Sequence, residues 1–353
     1  MRILIARTDR IGDVLLSTPV IKAVRGKFPG AYVAFLVRPE TADIVRNNPG
    51  VDEVIICDKL KTHKGLTGIF RLSSRLSGLK FDMALILHPT NRVHLACFFA
   101  GIPRRVGFDR KLGFLLTDRL AHTKQEGVRH ETEYTLDVAR RVGADTGDKR
   151  PVMCVPEGVR EAAASLLRAH GIEAGMRAVA VHAGASCVSK RWPAENFARV
   201  AETLARDYGV SIVLVGGKDD AAYSREVARG VRDKINPADL TGKTSVSLLG
   251  GVLEKCALLI SNDSGPVHVA VAVGTPVISI FGRKDPGLSP DRWAPLGPRD
   301  VALHKDAGCD VCLAHNCDKG FLCLKAVTPG EAALAAGRIL EPRFDPSRQI
   351  PGL

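Results

Sequence analysis

Short apolar runs alternate with amphipathic stretches along this chain, and the alternation plays out twice. Residues 3–6, 32–37, 53–56 and 83–87 read as strands, with a weaker one at 105–107. Between them, 14–27 carries Val14, Leu15, Ile21 and Val24 near helical spacing, and 66–76, 93–100 and 131–142 read as further helices. This order builds a parallel sheet with helices on both faces. After the polar stretch 144–151 and a bridging helix at 157–169, the pattern restarts. Strands are expected at 178–181, 211–215, 258–261 and 277–281, and helices at 194–206, 219–229, 246–256 and 265–273. The expected fold class is therefore α/β, with two doubly wound halves facing a central cleft; one larger sheet is the competing architecture. A length of 353 residues exceeds what one core usually fills, which favours two domains. Their expected limits are 1–155 and 156–335, followed by a tail at 336–353 that holds three prolines after Glu341.

Open parallel sheets hold ligands beyond the carboxyl ends of their strands, so the loops there matter most. Asn262-Asp263-Ser264-Gly265-Pro266-Val267-His268 follows one strand and opens a helix. Unpaired amides and the positive dipole end make such a start a seat for phosphate. Asp263 and Ser264 are equally ordinary N-cap types, and Gly265 admits a ligand close to the backbone. His268, one turn in, either reaches a phosphate or satisfies a core hydrogen bond. His182-Ala183-Gly184-Ala185-Ser186 follows another strand, with Lys190 and Arg191 just before Trp192-Pro193. Ser186 can donate to a phosphate, and Lys190 adds charge at the same rim. With Gly216, and with Thr241 and Gly242 as a base or ribose contact, these loops converge on a nucleotide-diphosphate site.

In the first half, Arg7-Thr8-Asp9-Arg10-Ile11-Gly12-Asp13 joins the first strand to its helix. Gly12 allows close approach, and Asp13 is either a helix cap or a general base. The turn lacks G-x-G-x-x-G, and the chain contains no G-x-x-x-x-G-K-[ST]. Nicotinamide dehydrogenases and P-loop nucleotide hydrolases are thereby disfavoured.

Charge is unevenly spread. Of a net +12, residues 1–150 carry +10, from 26 Lys and Arg against 16 Asp and Glu. That half suits an anion larger than one phosphate: an anionic membrane surface, a polyanionic lipid, or nucleic acid. A solvated basic surface without a partner is the plain alternative. Aromatic residues make up only 5% and no nucleic-acid motif is present, so no nucleic acid partner is expected. No run approaches the ~20 apolar residues needed to span a bilayer. Asp9 and Asp13 interrupt any secretory signal, and the cysteine count is odd, at nine. A reducing cytoplasm is expected. Four cysteines, Cys309, Cys312, Cys317 and Cys323, lie within fifteen residues. They are either a metal framework or reduced thiols packing a loop, and no metal is assigned to them.

Taken together, these segments resemble glycosyltransferase family 9, the bacterial lipopolysaccharide heptosyltransferases, over nearly the whole chain. The matching pieces are Asp9-x-x-Gly12-Asp13-x-x-Leu16-x-Thr18-Pro19 and Phe98-Phe99-Ala100-Gly101-Ile102-Pro103-x-Arg105-x-Gly107, with the second-half loops above. The Phe-Phe-Ala-Gly-Ile-Pro run and the cysteine cluster look most like heptosyltransferase II. The resemblance implies a GT-B fold of two Rossmann-like domains, acceptor on the first and nucleotide sugar on the second. It implies inverting transfer of L-glycero-D-manno-heptose from ADP-heptose to an inner-core heptose of Kdo-lipid A, beside the cytoplasmic face of the inner membrane. It makes Asp13 the base, puts Lys190 near the donor diphosphate, and sets Asp263, Gly265 and His268 at the ADP. The loop before Lys190 departs from the family pattern with Cys187-Val188-Ser189. No Asp-x-Asp pair is present for a metal, so no cofactor is expected and protein cations would face the diphosphate. Arg92, Arg104, Arg105, Arg110 and Lys111, with Gly12, are the acceptor candidates. Another nucleotide-sugar transferase or epimerase of this fold, or a non-catalytic polyanion-binding protein, are the alternatives.

Overall fold

The computed structural model describes residues 1–231 and 234–341. Its first half runs β1 (Arg2–Ala6), α1 (Ile11–Leu15), α2 (Pro19–Lys27), β2 (Tyr32–Val37), α3 (Ala42–Arg46) and β3 (Glu53–Ile56). It continues through α4 (Gly65–Gly78), β4 (Met83–Ile86), α5 (Asn91–Phe99), β5 (Arg104–Phe108), β6 (Asp118–Leu120) and α6 (Glu131–Arg140). The second half holds α7 (Glu157–Arg168), β7 (Ala178–His182), α8 (Ala194–Tyr208), β8 (Ser211–Leu214), α9 (Ala221–Val231), β9 (Ala238–Asp239) and α10 (Val246–Glu254). Then come β10 (Leu258–Asn262), α11 (Gly265–Ala272), β11 (Val277–Phe281), α12 (Pro290–Trp293), β12 (Val301–His304), α13 (Leu322–Lys325) and α14 (Pro329–Leu340).

Two six-stranded sheets result, not one larger sheet. Their orders are β3-β2-β1-β4-β5-β6 and β12-β11-β10-β7-β8-β9, and every pairing is parallel. Ile3, Leu4 and Ile5 are all fully buried, as a strand covered on both faces requires. In each sheet the order reverses once, between β1 and β4 and again between β7 and β10. Crevices for ligands open at these reversals.

The single helix expected at 14–27 is two. Pro19 has no amide hydrogen, and the turn before it tightens: Ser17 and Thr18 donate to the carbonyls of Val14 and Leu15. The Thr18 hydroxyl then accepts from the Val152 amide at 2.9 Å, while Met153 donates to the Ala272 carbonyl at 3.1 Å. The connection is thus tied to both halves. α1 lies across α11, and a methyl added at Gly12 would sit 2.7 Å from the His268 ring. Leu15, Val20, Val37 and Leu85 of the first half share one continuous buried cluster with Leu253, Val267 and Ala270 of the second. The helix α14, begun by a reciprocal Thr328–Glu331 cap, runs past residue 335, where the second domain was expected to end. Residues 342–353, most of the expected tail, lie outside the described residues. Among the described residues no helix is long and apolar enough to cross a membrane.

Candidate active site

β1 delivers Arg7 to the first crevice, where its guanidinium is buried. It meets Asp9 at 2.8 Å, Asp13 at 2.7 Å and Glu131 at 3.1 Å. Burial disfavours the cation, but the three carboxylates outweigh it and hold the Arg7 pKa above its ordinary value. Asp13 is the third residue of α1 and makes no cap: the N-cap is Arg10, without a side-chain bond to the helix amides. Burial raises the Asp13 pKa; Arg7 opposes this, while Asp9 and Glu131 add to it and His88 subtracts. Its side chain keeps 17% exposure, so the carboxylate is open to the crevice. A carboxyl with a raised pKa in a crevice is poised to take a proton.

Glu131 links this group to the other half. It pairs with Lys124 at 2.7 Å, with Arg7, and with Arg292 of α12 at 2.7 Å. Burial would raise its pKa, but Lys124, Arg7 and Arg292 hold it below the ordinary glutamate range. Burial pushes Lys124 down to about 8 against the pull of Glu131. Next to it, the His130 ring lies 2.9 Å from the Ala294 carbonyl.

In the second half, Asn262 ends β10 and braces the neighbouring loop. Its amide donates to the carbonyls of Ala183 and Gly184, and its oxygen accepts from the Trp192 amide at 2.9 Å. Asp263 receives Lys190 at 2.8 Å and Arg283 at 3.0 Å, a triad with one net positive charge in which Asp263 and Arg283 are buried and Lys190 is half-buried. Ser264 is the N-cap of α11, yet its hydroxyl lies 3.1 Å from His182 Nδ1 and bonds none of the helix's own amides. The His182 Nε2 donates to Asp220 at 3.2 Å. Gly265 faces Ile11 across the crossing of α1 and α11. Gly242, at φ +75, turns its amide onto the Gly216 carbonyl at 2.9 Å, joining the loops after β8 and β9. The Thr241 hydroxyl donates to Ser224, and Ser186 is exposed on the rim beyond β7.

His268 is buried against Gly12, with no hydrogen-bond partner for Nδ1. Burial pushes its pKa down to about 4, and it feels the charges of Asp263 and Lys190. Gly12-Asp13 and the Lys190–Asp263–Arg283 triad therefore flank one crossing.

The acceptor candidates divide. Arg92, in the first turn of α5, donates to the Gly65 carbonyl, while Arg110 and Lys111 are exposed in the loop beyond β5, all at the carboxyl edge. Arg104 and Arg105 are not there, contrary to expectation. They start β5, in register with Met83 and Ala84, at the amino edge of the sheet. Arg104 pairs with Asp118 at 3.1 Å, and Arg105 donates to the Leu115 carbonyl at 2.7 Å.

Cys309, Cys312, Cys317 and Cys323 are free and half-buried, and among the described residues no group of three or more ligand side chains is arranged to hold a metal. In the same loop, His315 lies 2.9 Å from the Ser189 hydroxyl, so this segment leans on the turn bearing Lys190. Reading the sequence passed over Arg283, Asp220 and Glu131. Asp220 had the signal of the adjoining Gly216-Gly217; Arg283 and Glu131 arrive from loops with no local mark.

Comparison with known proteins follows the same lines. Residues 69–322 match the family described as Glycosyltransferase family 9 (heptosyltransferase). Lipopolysaccharide heptosyltransferase 3 of Escherichia coli K12 is 27% identical over 343 residues, covering 95% of this chain and 97% of that protein. A glycosyl transferase family 9 structure from Veillonella parvula superposes with a TM-score of 0.84 at 24% identity, covering 96% and 97% of the two chains. The E. coli ADP-heptose lps heptosyltransferase II does so at 0.78 and 22%, covering 96% and 98%. The fold is GT-B.

Proposed function

The chain belongs to glycosyltransferase family 9, and from that premise we propose that it transfers L-glycero-D-manno-heptose from ADP-heptose to the inner-core heptose of Kdo-lipid A. In this reading residues 1–155 hold the anionic acceptor and 156–335 the nucleotide sugar, at the cytoplasmic face of the inner membrane. What carries it is the pairing across one crossing of a buried, partly reachable carboxylate, Asp13, with the cationic Lys190–Asp263–Arg283 triad.

Asp13 takes the proton of the acceptor hydroxyl as its oxygen attacks the anomeric carbon. The bond from that carbon to the diphosphate breaks on the opposite face, inverting the centre, and ADP departs. Lys190, Arg283 and the uncapped start of α11 face the charge that collects on the diphosphate. Ser186, Gly216, Thr241 and Gly242 line the nucleotide end, while Gly12, Arg92, Arg110 and Lys111 meet the acceptor. A second reading, a heptosyltransferase 3-type acceptor position, is favoured by the relative matched along 95% of the chain.

Mass spectrometry of a core-oligosaccharide acceptor incubated with ADP-heptose tests transfer, and linkage analysis of the product separates the two acceptor positions. Asp13→Asn is expected to lower kcat by about 10²–10⁴-fold with ADP binding retained. Preference for a UDP-sugar, or normal turnover by Asp13→Asn, would overturn the assignment.

A further inference from the structure

Between Lys59 and Phe108 the chain carries nine Lys and Arg but only one carboxylate, Asp82, which accepts from the Arg2 amide. This segment forms α4 and α5, packed side by side on the outer face of the first sheet. Their outward surface carries an apolar patch among its polar residues, where water should reward polarity. Leu66 is 72% exposed, and Phe70, one turn on, 57%; Phe98 and Phe99 at the end of α5 are 44% and 49% exposed. The rings form a cluster, with Phe70 and Phe99 centred 5.2 Å apart and Phe98 and Phe99 5.5 Å apart. An open groove of about 440 Å³ runs between the helices, floored by Ser73, Ser74 and Ser77. Arg71 and Arg75 flank Phe70 on α4, and the Arg105 guanidinium lies 5.5 Å from the Phe98 ring. Glu53 is the carboxylate at this rim, paired with Arg75 at 3.1 Å. Single exposed apolar residues are ordinary; a contiguous aromatic cluster whose rim carries more cations than carboxylates marks a docking surface.

We propose that the α4–α5 face, centred on Phe70, Phe98 and Phe99, is the surface by which this protein seats itself on an anionic phospholipid bilayer. Charge selects this occupant. A second copy would bring like charges into contact, which an interface avoids. An anionic bilayer attracts each of them and offers the rings a boundary layer about 5–10 Å deep. The family motif residues Phe98-Phe99, which the site leaves unused, find a role here. The proposal deepens the reading of a lipid-borne acceptor and rests on it only for its purpose. α5 begins at the rim of the acceptor crevice and ends at the rings, so about 13 Å of helix separates them.

The test floats the full chain with phosphatidylglycerol-containing vesicles and, separately, with neutral phosphatidylcholine vesicles. Wild type is expected to float with the anionic vesicles, less so at high salt, and not with the neutral ones. Phe70→Ser combined with Phe99→Ser should weaken partitioning by about tenfold or more. The same variant should keep its melting temperature and its turnover of a deacylated, water-soluble acceptor. Failure of wild type to bind anionic vesicles, undiminished binding by the variant, or a dimer that the variant disperses would each overturn the proposal. Vesicle binding without any transfer to the soluble acceptor would uphold this surface and count against the catalytic reading alone.

Discussion

At Asp13, burial and a buried arginine pull in opposite directions, and burial wins. Catalysis by the carboxylate needs it ionised, so activity falls as pH drops through its pKa. The acidic limb of kcat/KM should therefore lie above 3.8, the ordinary aspartate value, and be lost in Asp13→Asn. Glu131 shows the reverse case. Its folded-state pKa is depressed, so its contribution to stability is present above 4.5 and fades as pH falls below that value. Glu131→Gln leaves Arg7, Lys124 and Arg292 short of a buried partner, an imbalance worth about 3–5 kcal/mol. The variant should melt well below wild type at neutral pH, with the gap narrowing below pH 4.5. Equal gaps at both pH values would remove Glu131 from that role.

At the level of the elements, the crossing of α1 and α11 leaves no room at Gly12. Gly12→Ala sets a methyl 2.7 Å from the His268 ring, and one helix must shift. Turnover and melting temperature should both fall, and pairing with His268→Ala should recover part of the melting loss, a coupling that a double-mutant cycle measures. Strict additivity would show that the two residues do not meet. The strands that bear the site were legible because 3–6, 258–261 and 277–281 are runs buried on both faces. β9, two residues long, and β6, three, are edges too short to leave a pattern. The loops 7–13 and 262–268 could be placed beyond strand ends from sequence alone. Arg104 and Arg105 could be placed as well: the strand expected at 105–107 already sets both at its amino end, away from the crevice, and β5, which begins at Arg104, keeps them there. Arg283 and Arg292 reach Asp263 and Glu131 through three-dimensional closure that no spacing encodes.

Across the whole molecule, two sheets of the same strand order face each other at their points of reversal. Glu131–Arg292 and His130–Ala294 fasten the first half to the segment around α12, and the Val152–Thr18 and Met153–Ala272 bonds fasten the connection. Beneath these polar ties runs the shared apolar cluster. Parting the halves there would wet hydrocarbon from both, so loss of order in either half destabilises the other. In a scanning calorimeter the protein should give a single endotherm whose van't Hoff and calorimetric enthalpies agree, and two separated peaks would mean the halves melt as strangers.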